Sequence, residues 1–125
     1  MNDKQPVQDL RGRTKRYALK VIRLYSNLPK STEAQVLGRQ LLRSGTSPGA
    51  QYREACRAKS DADFISKMEG ALQELDESDY WLDLLGETKL APPDELEHLR
   101  DETNQLIAIF VSMVRKTKDR KTGHQ

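Results

Sequence analysis

The sequence predicts an all-α fold: a single domain built as an up-down four-helix bundle with short loops and a long, kinked second helix. Apolar residues recur at steps of three and four in four successive segments, which is the period of one helical face. Proline and capping residues separate these segments, and no stretch alternates apolar and polar residues as a half-buried strand does. We therefore place the bundle at residues 9–118, between a disordered N-terminus, 1–8, and a flexible basic tail, 119–125.

The first helix is predicted over about Asp9 to Asn27, and the chain turns at Pro29, which cannot continue a helix. Its apolar stripe consists of Leu10, Thr14, Tyr17, Val21, Leu24, Tyr25 and Leu28. Ser31 or Thr32 is suited to cap the next helix, because a hydroxyl at that position accepts a hydrogen bond from a free backbone N–H. A short loop therefore joins the first two helices.

The second segment, residues 33–59, contains the stretch RSGTSPGAQYREACRAK, in which Pro48 allows two interpretations. Ser47 and Pro48 form a good helix start, so the segment is similar to a helix-turn-helix motif. Its recognition helix would carry Gln51, Arg53 and Arg57. That helix would open with glycine and alanine, however, which offer little to base edges. We therefore favour one long helix kinked at Pro48, with apolar faces formed by Val36, Leu37, Leu41 and Leu42 and by Ala50, Tyr52, Ala55 and Cys56.

The third helix begins after Ser60, which forms a capping box with Asp63, and it ends before the proline pair Pro92-Pro93. Its seam consists of Phe64 or Ile65, Met68, Leu72, Leu75, Leu82 and Leu85. The fourth helix starts at Pro93 or Asp94 and carries a heptad seam, which is typical of bundle packing. That seam consists of Leu96, Leu99, Thr103, Leu106, Phe110, Met113 and Thr117.

Charge is distributed unevenly along the chain. Residues 1–60 contain 13 Lys and Arg against 4 Asp and Glu, residues 61–112 contain 3 against 14, and residues 113–125 contain 5 against 1. Such asymmetry indicates either an anionic partner for the basic part or basic helices packed against acidic ones. The internal ion pairs that we expect join Glu74 or Glu77 to Arg39, Arg43 or Arg53.

The fourth helix also predicts self-association. Across LIAIFVSMV, residues 106–114, apolar side chains occupy the helix all the way round, whereas a small bundle buries only one face of each helix. The excess apolar surface favours a homo-oligomer over a membrane contact. The interface residues that we predict are Leu106, Ile109, Phe110, Val111 and Met113.

The sequence offers no catalytic, cofactor-binding or metal-binding arrangement, so we do not expect an enzyme. Glu95 and His98 have the Glu-x-x-His spacing of di-iron bundles, but such a site needs a second pair and two further glutamates. Cys56 is the only cysteine, which predicts a small buried thiol in a reducing compartment. Without a signal peptide or a long apolar run, the chain is predicted to be cytoplasmic and to have no membrane partner.

Rows of cations are the best candidates for function. In the first helix, four basic residues step by three and four along one side of the apolar stripe. Lys and Arg in such a row bind the phosphates of RNA or DNA by releasing condensed counterions, so the affinity falls with salt and depends little on base sequence. The residues that we assign to nucleic-acid binding are Arg13, Arg16, Lys20 and Arg23, with Arg115, Lys116 and Lys118 near the C-terminus.

The segment GRQLLRSGTSPGAQYREACRAKSDADFISKMEGALQELDESDYWLDLL resembles the four-helix-bundle proteins encoded by intervening sequences of bacterial large-subunit ribosomal RNA genes. The likeness extends from about Thr14 to Lys116, and the LLRSGTS and YWL parts are its most specific features. The accessory protein of diversity-generating retroelements is a relative of that family. Pro48 stands where a small or aliphatic residue is expected in the family, so the kink in this chain is expected to be sharper.

This resemblance implies a cytosolic homopentamer of kinked four-helix bundles without catalytic machinery. For the retroelement relatives, it implies a basic barrel that associates with nucleic acid and with a reverse transcriptase. We therefore expect a non-enzymatic scaffold that binds RNA or DNA non-specifically through its basic faces. Two alternatives stay open at this point: a module that recruits a protein partner, and a helix-turn-helix regulator of DNA.

Overall fold

A computed structural model describes residues 9–122 of the chain, with side chains from 9 to 120, and all of its regular elements are helices. They are α1 (Leu10–Ser26), α2 (Thr32–Cys56), α3 (Asp61–Glu87) and α4 (Pro93–Thr122). Each helix packs against the next one in the chain, and α1 also meets α4, so the four helices close into one bundle. The predicted all-α, four-helix fold is confirmed.

The helix starts follow the capping residues of the sequence. The Asp9 carboxylate accepts a hydrogen bond from the Gly12 N–H at 3.0 Å, which caps α1. Ser31 caps α2 through the Ala34 N–H, and Ser60 caps α3 by accepting from the Asp63 N–H at 3.0 Å. Because each cap satisfies a backbone donor that a helix start leaves free, these residues define where the chain turns.

Helix α2 runs without interruption through Pro48, whose side chain is buried. Proline removes one N–H donor from the helix, and nearby hydroxyls bond to backbone carbonyls in the turn before it. The Ser47 hydroxyl donates to the Arg43 carbonyl at 2.7 Å, and the Thr46 hydroxyl donates to the Leu42 carbonyl at 2.8 Å. The prediction of one long helix is confirmed. The helix-turn-helix alternative is wrong, because no turn separates two helices in this segment.

The predicted stripes of α1 and α4 form much of the core, and α2 adds Ala34, Leu41 and Ala55. Part of the predicted α3 seam is only half-buried, at Phe64, Ile65 and Leu72. In α4 every member of the heptad seam is buried except Met113, which is half-buried, and Val114 joins the seam. In α1 all members of the stripe are buried except Tyr25, which is half-buried. The core positions of α3 are Met68, Ala71, Leu75, Ser78, Leu82 and Leu85.

A layer of hydroxyl groups crosses this core, with one residue from each helix. The Tyr17 and Thr103 hydroxyls lie 2.6 Å apart and join α1 to α4, and the Ser44 and Ser78 hydroxyls lie 2.8 Å apart and join α2 to α3. All four side chains are at most 1% exposed. Burial raises the pKa of Tyr17 to about 12, although hydrogen bonds with Thr103 and Ser78 oppose that shift. We call these four residues the hydroxyl layer.

Four predictions at the margins of the bundle are corrected by the structure. Val36 was expected in the core and is 49% exposed, and Cys56 was expected to be buried and is exposed. Ala50, also assigned to an apolar face, is exposed. Helix α4 continues to Thr122, so residues 119–122 are helical rather than part of a flexible tail. The predicted disordered segment 1–8 and residues 123–125 lie outside the described residues.

Small residues let α1 approach α2 closely, which explains why Val36 does not face α1. A Cβ atom at Gly38 would lie 2.6 Å from Leu28 Cδ1, and one at Gly45 would lie 2.8 Å from Val21 Cγ2. Real Cβ atoms do not approach other heavy atoms so closely. The face of α2 that meets α1 therefore consists of residues without side-chain bulk, and larger apolar residues lie beside it.

Gly45→Ala is expected to lower the free energy of unfolding by about 1 to 3 kcal/mol, because the new methyl group overpacks the contact with Val21. Gly86→Ala is the matched control: its Cβ would meet only Leu96 Cδ1, at 3.7 Å, so helix propensity should leave stability unchanged or raise it by up to about 1 kcal/mol. Urea unfolding followed by circular dichroism measures both. Equal effects of the two substitutions would contradict the close approach of α1 and α2.

Tyr17→Phe is expected to reduce the amount by which the free energy of unfolding falls at alkaline pH. The pKa of this phenol is raised in the folded state, so its stabilising contribution is complete below about pH 10 and is lost as the pH rises through about 12. Over that interval wild type should lose about 3 kcal/mol more than the variant. Urea unfolding at a series of alkaline pH values gives this difference, and parallel stability curves for the two proteins would disprove it.

Candidate nucleic-acid interface

The cation row of α1 lies beside α4, because the core stripe fixes the orientation of the helix. Arg13 reaches two α4 side chains, and Lys20 and Arg23 line a cavity that α4 also lines. Arg16 lies between them in the row and is exposed, as are Lys20 and Arg23. The structure therefore brings the four predicted residues of α1 together along one edge of the bundle.

Arg13 differs from the other members of this row. Its guanidinium makes a bidentate ion pair with the Glu102 carboxylate, at 2.7 and 2.9 Å, and it donates to the Gln105 side-chain carbonyl at 2.6 Å. The hydrogen bond with Glu102 raises the pKa of Arg13, and both side chains are less than a quarter exposed. Arg13 therefore fastens α1 to α4, and Glu102 offsets its charge.

The other three cations of the row have no carboxylate within ion-pair distance among residues 9–120. Lys20 and Arg23 line a cavity of about 320 Å³ between α1 and α4, together with Glu95, His98 and Leu99. Lys and Arg side chains at such an edge place their apolar stems on the protein and their charged ends in water. This stretch of the row is thus available to an anion from solution.

The C-terminal cations occupy different surroundings. Arg115 and Lys116 are exposed, whereas the Lys118 ammonium lies 3.2 Å from the Glu69 carboxylate of α3. Lys116 lines a cavity of about 560 Å³ with Cys56 and Lys59 at the end of α2. From His98 to Arg115 the helix rises about 25 Å, so this group lies near the opposite end of the bundle from Lys20 and Arg23. The structure does not join the two predicted sets into one patch.

Part of the remaining basic charge is paired inside the subunit, with carboxylates of α3. Arg43 from α2 pairs with Glu74 and Glu77, at 3.3 and 2.9 Å, which confirms the pairing predicted from the sequence. Arg100 from α4 pairs in the same way with Asp79 and Asp83 on the other side of α3. Helix α3 therefore neutralises arginines from both of its neighbours. Arg39 and Arg53, the other two arginines considered for this pairing, are exposed on α2 and are not paired with Glu74 or Glu77, and Arg57 is exposed at the C-cap of α2.

The predicted oligomer interface is corrected in part. Leu106 and Phe110 are 0% exposed within the single subunit, so they belong to its core and have no surface to offer a second copy. Ile109 and Met113 are half-buried, and Val111 is 36% exposed. Helix α4 packs between α1 and α3, and it therefore needs a wide apolar face of its own.

A different apolar surface was missed by the sequence reasoning. Leu19 and Ile22 of α1 are 38% and 40% exposed, on the side of the helix that faces away from the core. The signal was available, because both residues are apolar but lie off the stripe of three- and four-residue steps. We call Leu19 and Ile22 the α1 apolar pair.

The described residues give little support for metal binding, for thiol chemistry or for a membrane span. Within residues 9–120, no three His, Cys, Asp or Glu side chains are grouped as metal ligands. The exposed Cys56 thiol lies beside the Tyr52 hydroxyl, and burial together with this contact raises the pKa of Tyr52 to about 12. In the part of the chain that the structure describes, no helix is long and apolar enough to span a membrane.

Comparisons with known proteins agree with this architecture. A family model described as 23S rRNA-intervening sequence protein matches residues 9–112. The chain is also similar to a crystal structure of a protein of unknown function from the S23 ribosomal protein family of Bacteroides thetaiotaomicron VPI-5482, with 34% sequence identity and a TM-score of 0.79. That similarity covers 84% of this chain and 97% of the other chain. Among curated proteins, none matches.

Proposed function

The chain belongs to the 23S rRNA-intervening sequence protein family, and we propose that it is a non-enzymatic, self-associating scaffold that binds RNA or DNA through backbone phosphates. One observation carries this proposal. Arg16, Lys20 and Arg23 lie along one exposed edge and make no ion pair among the described residues, whereas Arg43 and Arg100 are paired with carboxylates of α3. Uncompensated cations in a row fit an anionic polymer better than they fit a structural role.

The arrangement suits contacts to phosphates rather than to bases. The three cations follow a helix at steps of three and four, so their Cβ atoms lie about 5 to 6 Å apart along one edge and successive side chains can each contact a phosphate of one strand. They are long, flexible side chains without aromatic or amide neighbours in the row to distinguish one base from another. Binding of this kind is strong at low salt and tolerates any base sequence.

Self-association would increase the affinity for nucleic acid. The α1 apolar pair lies directly beside the cation row, since Leu19 follows Arg16 by three residues and precedes Arg23 by four. Copies that gather through this surface would place several cation rows on one assembly, and linked sites gain affinity through a high effective concentration. The family resemblance suggests five subunits.

A second candidate function has its own support. Tyr80 of α3 is 56% exposed and Val36 of α2 is 49% exposed, and exposed aromatic and apolar side chains are typical anchors in protein interfaces. A scaffold that recruits a protein partner would use these residues and would not need the cation row.

Charge reversal at Arg16 and Lys20 to Glu tests the nucleic-acid role. Wild type should retain a generic structured RNA at low salt, with a linear fall of log affinity as log salt rises. The double variant should no longer bind the RNA at low salt. Where weak binding persists, the slope of log affinity against log salt should be smaller by about 2 for each contacting subunit. Fluorescence anisotropy over a salt series gives the affinity and the slope.

The matched control reverses Arg39 and Arg53 to Glu; both residues are exposed and lie on α2, and the change in net charge is the same. We expect this control to reduce affinity much less than the α1 variant. If both variants bind alike, or if the α1 variant binds as wild type does, the assignment of the α1 row is refuted. A stoichiometric protein partner that survives nuclease treatment would favour the second candidate.

Replacing Leu19 and Ile22 with Gln is expected to dissociate the assembly into folded monomers, because the change removes apolar surface that is already more than a third exposed in one subunit. Light scattering on a sizing column measures the mass against the 14.3 kDa of one chain, and the absorbance ratio reports nucleic acid that co-purifies. Val36→Gln is the control with similar exposure on α2. Monomeric wild type at micromolar concentration would disprove self-association.

A further inference from the structure

The cavity between α1 and α4 has features that the rest of the cation row lacks. The Arg13–Glu102 pair and the Tyr17–Thr103 contact hold the two helices together in the middle of the bundle. Towards the end that carries the N-terminus of α4, the helices leave the cavity of about 320 Å³ between them. Basic side chains from both helices line this cavity, Lys20 and Arg23 from α1 and His98 from α4.

This composition suits a phosphate group. An arginine offers a planar set of N–H donors, a lysine offers a compact positive charge, and a protonated imidazole offers a third cationic donor. Leu99 is the buried apolar residue of the lining, whereas the charged and polar residues that line the cavity are exposed to water. Glu95 is the one acidic residue lining the cavity, and neither its carboxylate nor any other described one pairs with Lys20 or Arg23.

We infer that the α1–α4 cavity is a phosphate subsite in which Lys20, Arg23 and His98 together hold one backbone phosphate, and that protonation of His98 strengthens this binding. The inference rests on the proposed function and adds to it the position of one phosphate and a response to pH. Histidine is the side chain whose charge ordinarily changes between about pH 5 and 8. The affinity of the protein for nucleic acid therefore rises as the pH falls through that range.

The sign of this response follows from the charges that face His98. The charged groups that line the cavity with His98 are Lys20 and Arg23 of α1 and Glu95 of α4. On the α3 side of α4, Asp79 and Asp83 pair with Arg100, and Glu87 lines a separate cavity with Leu96 and Glu97. A bound phosphate adds negative charge on the cavity side and favours uptake of a proton. By linkage, protonation must favour phosphate binding by the same factor.

The experiment measures binding of a fluorescent oligothymidylate with hydroxyl ends at about pH 6 and pH 8, at constant low salt. Its phosphodiesters and bases do not titrate in this range, so the response comes from the protein. Wild type should bind about fivefold more tightly at pH 6, which is the effect of one added charge a few ångströms from a phosphate in a water-accessible groove. In His98→Gln most of this ratio should disappear.

Two controls separate His98 from general effects. His124→Gln removes the other histidine of the chain and should keep the wild-type ratio. Lys20→Gln with Arg23→Gln should weaken binding at both pH values and should reduce the response to pH. A nuclear magnetic resonance titration of the His98 ring gives an independent readout, because the bound strand should shift its titration to higher pH in wild type and not in the Lys20→Gln, Arg23→Gln variant.

The outcomes separate the two proposals. If wild type binds the strand with a steep salt dependence but His98→Gln keeps the full response to pH, the subsite is refuted while the nucleic-acid function stands. If wild type does not bind the strand or structured RNA at low salt, the proposed function itself fails. An oligothymidylate with a 5′-phosphate that alone shows the response would overturn the assignment of a backbone phosphate, because a strand end would then be the ligand.

Discussion

The hydroxyl layer is the constraint on which the rest of the structure depends. Apolar seams with a heptad repeat pack almost equally well after a shift of one turn, about 5.4 Å, so apolar burial alone does not fix how far one helix slides along another. The Tyr17–Thr103 contact opposes such a slide between α1 and α4. Thr103 donates to the Leu99 carbonyl of its own helix, so the buried Tyr17 hydroxyl is the donor in the contact, and losing its acceptor would cost about 1 to 3 kcal/mol. The Ser44–Ser78 contact joins α2 to α3 in the same layer, where Ser78 also donates to the Glu74 carbonyl.

That register decides which charges meet. With Tyr17 opposite Thr103, Arg13 lies opposite Glu102, and Lys20 and Arg23 lie opposite the first turns of α4. On the other side of the bundle, the acidic face of α3 meets arginines from α2 and α4. In the folded chain, some of the basic residues are therefore paired with carboxylates around α3, whereas the row on α1 stays uncompensated. Of the two alternatives that the charge pattern allowed, internal pairing is observed around α3, whereas an anionic partner for the α1 row is our proposal.

The sequence predicted the parts of the fold that depend on local chemistry. Caps, the proline boundary and the stripes of α1 and α4 follow from hydrogen-bonding groups and apolar spacing along one helix. The prediction was weakest on α2, because counting large apolar residues overlooks a face made of glycines, and it therefore placed Val36 in the core. The sequence analysis also assigned the apolar residues around α4 to an oligomer interface. A helix with neighbours on two sides, however, buries Leu106 and Phe110 within its own subunit.

In the candidate site, likewise, the sequence did not show which cations are paired with a carboxylate. Spacing alone placed four cations in one row, but it did not separate Arg13 from Lys20, because the carboxylate that offsets Arg13 lies 89 residues further along the chain. A cation held by a bidentate carboxylate contributes little to the attraction of a polyanion, since the pair acts at a distance as a dipole rather than as a charge. The charge that a ligand meets is therefore a property of helix register, and a substitution in the hydroxyl layer that shifted α1 along α4 would alter it without changing any charged residue.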